Sequence, residues 1–162
     1  MPNRLNRAVS LIYKAPEFTH SYLLTKLFCS TVKFAGTSKV TLHAVSENQT
    51  ILSLKNQKRV QNHIGGIHAV AAALLAESAT GILLGMNISD KKIPLLKSMQ
   101  VDYNRRMVGN LRAIANLSSE KINQINSVDK GDTLIKVSIT DESGQEPIEC
   151  KMNWAWVLKR PS

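Results

Sequence analysis

Towards the end of the chain, apolar side chains recur at every second position. Ile148, Cys150, Met152, Trp154, Trp156 and Leu158 share one face, and Glu149, Lys151 and Asn153 begin the other. This period of two describes a strand with one dry and one wet face, as in antiparallel sheets. Leu134 to Thr140 reads as its hairpin partner across the polar turn Asp141-Glu142-Ser143-Gly144. Leu111, Ala113, Ala115 and Leu117 keep the same period after the turn signal Gly109-Asn110, and Lys97 to Asn104 places Met99, Val101 and Tyr103 together. Upstream, the pattern turns to β between Ser30 and Lys55. Lys39 to Val45 and Thr50 to Leu54 read as two strands around Ser46 to Gln49.

Two stretches follow the helical period instead. Asn6 to Phe28 reads as one or two amphipathic helices, broken near Pro16. A longer helix is expected from about Gly66 to Leu84, stopped by Gly85, with only strands beyond it. Helices segregated from a run of strands make an α+β fold. A curved antiparallel sheet wrapped around the one long apolar helix accommodates every element. The reading is one domain overall, with an N-terminal helical segment at 1–29 and the main body at 30–162.

The long helix holds the first chemical signal. Between His68 and Gly85 it carries a single charged side chain, Glu77. A buried carboxylate costs several kcal/mol unless it is paired, or else its pKa rises. A nearby lysine or backbone donors would make Glu77 structural. Without them it is a candidate general base or nucleophile at neutral pH. His68 and Glu77 are nine residues apart, and nine steps of about 100° put them on opposite sides of one helix. If both act, they serve different copies of a composite site in a dimer. At the start of the helix, Gly65 and Gly66 are expected to offer free backbone N–H groups to an oxyanion, and Asn62 a side-chain amide.

Composition narrows the class. A chain of 162 residues with 43% apolar and 20% charged residues is ordinary for one globular domain. Arg4 and Arg7 are followed by no uninterrupted apolar run, so no secretory signal is read. The long helix is rich in Ala, Gly, Ser and Thr and has an acid at its centre, a poor membrane span. Cys29 and Cys150 are far apart and lack metal-like spacing, and His63 and His68 stand without spaced partners, so no metal site is indicated. Reduced thiols and a soluble body suggest a cytoplasmic protein.

The net charge is +9, and nine Lys/Arg against Glu17 and Glu47 fall in residues 1–60. Such a balance suits a polyanionic partner or a phosphorylated cofactor such as coenzyme A. Aromatic residues are 5%, with no basic-aromatic stacking pattern, which argues against nucleic acid. Arg105, Arg106 and Arg112 cluster near the turn between two strands and are candidates for phosphate.

Asn62, Gly65, His68 and Glu77 reproduce the spacing N-x2-G-x2-H-x8-[D/E], which resembles hot-dog-fold acyl-CoA thioesterases of the phenylacetyl-CoA thioesterase type. VDYNRRMVGNLRAIANL and GDTLIKVSITDESGQEPIECKMNWAW are similar to later segments of that family, so the resemblance covers roughly residues 30–160. It implies a hot-dog fold and a dimer, or a dimer of dimers, with composite sites. The substrate would be an acyl-CoA or acyl-carrier-protein thioester, with coenzyme A present only as part of it. Glu77 would activate water or attack the thioester carbonyl. From the other subunit Asn62 would position water or substrate, the Ala69 N–H would polarise the carbonyl, and His68 would orient the loop. The family usually reads His-Gly-Gly where this chain has His68-Ala69-Val70. Two other readings remain open: a non-catalytic acyl-thioester binding module, and a hydroxyacyl thioester dehydratase using His63 and Glu77.

Overall fold

The computed structural model describes residues 2–160; the outermost expected boundaries, 1 and 162, lie outside them. Six antiparallel strands form one sheet: β1 (Thr41–Val45), β2 (Gln49–Leu54), β3 (Lys92–Tyr103), β4 (Leu111–Asn116), β5 (Gly131–Asp141) and β6 (Ile148–Leu158). Their spatial order is β1-β2-β4-β5-β6-β3. Five α-helices accompany them among the described residues: α1 (Arg4–Ile12), α2 (His20–Thr31), α3 (Lys33–Ser38), α4 (Ala69–Asn87) and α5 (Ser119–Ser127).

The sheet wraps α4, which touches β2 through β6. By length and composition α4 could cross a membrane, but 72% of its most apolar window is buried inside the fold. The alternation read from sequence is what buries Leu111, Ala113 and Ala115 on β4 and Cys150, Met152, Trp154 and Trp156 on β6. Val9 of α1 and Leu24 of α2 belong to the same core.

The helices differ from the sequence expectation at four points. Lys33–Ser38 is helical where β was expected, a short turn packed so closely on α2 that a Cβ at Gly36 would lie 3.2 Å from the Cys29 carbonyl oxygen. The long helix begins at Ala69, because residues 61–67 form a tight loop closed by a Gln61–Ile67 bridge. It also runs through Gly85 to Asn87, because outside side chains satisfy its last carbonyls. Asn3 Nδ2 donates to the carbonyls of Gly85 (2.8 Å) and Ile88 (2.6 Å), and Asn6 Nδ2 to that of Met86 (3.0 Å). Finally, α5 interrupts the expected run of strands. Ser118 caps it, Ile125 enters the core, and the buried Lys92 amine donates to the carbonyls of Ile125 (3.3 Å) and Val128 (2.7 Å) at its end.

The two sheet edges are treated differently. Along β1, the Thr25 hydroxyl accepts from the Leu42 N–H, the Ser21 hydroxyl donates to the Leu42 carbonyl, and the Tyr13 hydroxyl bonds both backbone groups of Val45. Helical side chains thus blunt that edge. At the other end, β3 pairs with β6 on one side only. It starts at Lys92 rather than Lys97 and accommodates Pro94, which an edge strand tolerates. Met99 and Tyr103, read as sharing one face with Val101, are 54% and 46% exposed. The register of this last strand shifts between Leu96 and Ser98.

Candidate functional site

Glu77 lies midway along α4 and is half-buried. Gly81 and Gly85 follow it by four and eight residues, so the three share one stripe of the helix. With Ser78, Phe28 of α2 and Trp154 of β6 they border a cavity of about 350 Å³. The Glu77 carboxylate forms no ion pair among the described residues, and neither a lysine nor a backbone donor caps it. Burial alone raises its pKa above the ordinary 4.5. Trp154 is pinned by a bond from its Nε1 to the Thr80 hydroxyl (2.8 Å), and its ring occupies the space a side chain at Gly81 would need.

Asn62, Gly66, Ala69, Arg105 and Arg106 line a second cavity, of about 360 Å³, together with Tyr103. Its loop is organised by Asn62. The Oδ1 atom accepts from the N–H groups of Ile64 (3.0 Å) and Gly66 (3.1 Å), while the Asn62 carbonyl accepts from the Gly65 N–H (3.1 Å). Gly65 adopts φ +77°, a conformation that suits glycine. The N–H groups of Gly65 and Gly66 are therefore engaged, and both residues precede the helix rather than open it. What remains available is the Asn62 Nδ2 and the Ala69 N–H, neither of which has a partner among the described residues. His68 is the helix N-cap, its Nδ1 accepting from the Val70 N–H (3.1 Å). The Tyr103 hydroxyl donates to the Ala69 carbonyl (2.7 Å), tying the end of β3 to the start of α4. His63 is exposed in the loop and does not line the Glu77 cavity.

The three arginines do not form one cluster. Arg105 donates through Nη2 to both oxygens of Asp141 (3.0 Å each) and to the Ser143 hydroxyl (2.8 Å). Arg106 is exposed and, among the described residues, its side chain reaches only the Ile64 carbonyl (3.4 Å). Arg112 stands on β4 between Ser53 and Thr140, away from the second cavity. Asp141, read from sequence only as a turn residue, organises this corner. Burial pushes its carboxyl up, but bonds from the Ser143 hydroxyl, the Val108 and Ser143 N–H groups and Arg105 outweigh that and bring it from 3.8 down to about 2. Ser78 was also overlooked: it is 2% exposed and its hydroxyl has no partner. A polar residue beside Glu77 in an apolar helix was the available signal. Among the described residues no group of three or more His, Cys, Asp or Glu is placed to hold a metal.

The fold recurs in solved structures. A Pseudomonas aeruginosa protein of unknown function, described as a probable thioesterase, superposes with a TM-score of 0.77 at 23% identity, over 85% of this chain and 95% of its own. A Haemophilus influenzae thioesterase gives 0.68 at 14% identity, over 85% and 90%. A variant of a Staphylococcus aureus thioesterase enzyme gives 0.66 at 17%, over 77% and 98%. At such identities the likeness establishes the architecture, a hot-dog fold. No curated protein matches the chain. Residues 21–157 match the model of the family described as "Domain of unknown function (DUF4442)", and the chain belongs to that family.

Proposed function

We propose that the protein hydrolyses acyl thioesters, with acyl-CoA as the preferred form, at composite sites of a dimer. The observation that carries this reading is the Glu77 carboxylate, unpaired and half-buried beside an apolar cavity. A carboxylate so placed is basic enough to take a proton from water, or stands ready to attack the thioester carbon directly. Either route ends with the C–S bond broken, a carboxylic acid formed and a thiol released.

The groups that would hold the carbonyl lie elsewhere in the same protomer. Asn62 Nδ2 and the Ala69 N–H face the second cavity, which supports a site completed by another copy. The twelve-residue edge of β3, open on one side with Leu95, Met99 and Tyr103 exposed, is the surface we assign to that pairing. Arg106, rather than Arg105 or Arg112, is left to meet coenzyme A phosphates.

The test is thiol release from short, medium, long and aromatic acyl-CoAs by wild type and Glu77→Gln. A fall of about a hundredfold or more in the variant, in the range of general-base contributions, is the expected result. Mixing two inactive variants, Glu77→Gln and Asn62→Ala, is expected to restore activity through hybrid dimers. Acyl-CoA binding without any thiol release would instead make the protein a binding module.

A further inference from the structure

The Glu77 cavity has a direction. Glu77 and Ser78 stand at one end of its floor, and Gly85 at the other. The Ser78 hydroxyl is fully enclosed and unpartnered. Buried hydroxyls are rarely left so, and Ser78 is among the residues that line the cavity beside Glu77. From there the floor is bare: Gly81 and Gly85 present no side chain, and Leu27, Phe28 and Trp154 supply apolar walls. A polar head and an apolar tail match a thioester and its acyl chain, and about 350 Å³ is within the size of small-ligand sites.

At the far end Leu5 of the N-terminal helix joins the lining. Leu5 Cδ2 sits so near Gly85 that a Cβ there would lie 3.3 Å from it. This contact is held in place. Asn3 and Asn6 form a reciprocal capping box (2.8 and 2.9 Å) and also bond the last carbonyls of α4. The Arg4 N–H donates to both oxygens of Asp90 (3.1 Å each).

Resting on the thioesterase reading above, we infer that α1 is the end wall of the acyl site and that Leu5 sets the length of chain accepted. The eight residues from Glu77 to Gly85, at about 1.5 Å each, give a floor of about 12 Å, the length of an extended chain of about eight to ten carbons. The substrates are therefore medium-chain acyl thioesters.

The experiment measures binding of non-hydrolysable S-alkyl-CoA thioethers of graded length by calorimetry, beside thiol release from the matching thioesters. Wild type, Leu5→Ala, Leu5→Trp and Ser78→Ala are compared, with circular dichroism confirming that each folds. In wild type, affinity is expected to rise about fourfold per added carbon until the wall is met, then to fall. Leu5→Ala moves the break to longer chains and Leu5→Trp to shorter ones. Ser78→Ala weakens binding by a similar factor at every length, because it acts at the head. Thiol release with no break in chain length, or a break that neither Leu5 variant moves, overturns the inference and leaves the thioesterase reading intact. Length-dependent thioether binding without thiol release supports the wall and overturns the hydrolase. A wild type that binds no thioether and cleaves no thioester overturns both.

Discussion

Asp141→Asn tests whether the corner behind the second cavity is held by one buried acid. The Asp141 side chain has no exposure, and Arg105, its partner, is 31% exposed. The carboxylate accepts from Arg105 Nη2 (3.0 Å), the Val108 N–H (2.9 Å), the Ser143 N–H (2.9 Å) and the Ser143 hydroxyl (2.6 Å). An asparagine keeps one acceptor oxygen, enough for the two Ser143 bonds, which converge on Oδ1. Its amide then faces Arg105 and the Val108 N–H, donor against donor. Two charge-assisted bonds at about 1.5–3 kcal/mol each put the loss at about 3–6 kcal/mol, overlapping the loss of about 3–5 kcal/mol found when one partner of a buried pair is removed.

The pH dependence supplies the check. A carboxyl depressed from 3.8 to about 2 stabilises the fold fully above its unfolded value, and that stability is lost as pH falls through about 4 towards about 2. Urea unfolding of wild type and Asp141→Asn should therefore differ most at neutral pH, and the gap should narrow in acid by about 2.5 kcal/mol. A difference below about 1 kcal/mol at pH 7, the worth of one ordinary hydrogen bond, or one that does not shrink in acid, refutes the reasoning.

Four further outcomes are expected. Glu77→Gln should be more stable than wild type at neutral pH while losing turnover. A carboxyl raised by burial contributes nothing below its unfolded pKa and costs stability as pH rises past 4.5 to its folded value, so the two proteins should melt alike in acid. The wild-type rate should fall with decreasing pH along a limb lying above 4.5; a limb at or below 4.5 counts against Glu77 as the base. Lys92→Met strands the Ile125 and Val128 carbonyls, costing about 1–3 kcal/mol with early hydrogen exchange in α5; unchanged exchange there refutes it. Gly81→Ala places a Cβ 2.8 Å from the Trp154 ring, so the gain of about 1 kcal/mol that alanine usually brings to a helix should be replaced by a lower Tm.

The period-two strands were readable because a sheet with one dry face writes burial directly into local order; β6 shows this from Ile148 to Trp156. The lone acid of α4 was legible for the same reason, since one charge among apolar residues stands out without knowledge of the fold. α5 was not, because Ile122 and Ile125 are too few to establish a period. Pro94 hid the first turn of β3, whose tolerance for proline depends on its being an edge.

Residue order and elementary chemistry thus determined the α+β layering, the apolar helix and the candidate carboxylate, all properties of neighbours along the chain. Only tertiary structure decided that Glu77 has no cation beside it among the described residues and that Arg105 belongs to Asp141. It also decided that the glycine N–H groups are engaged by Asn62, and that Asn3 and Asn6 dock Leu5 over Gly85, some eighty residues away in sequence. These are partnerships between distant segments. Local pattern states which groups seek a partner, and only packing settles which of them meet.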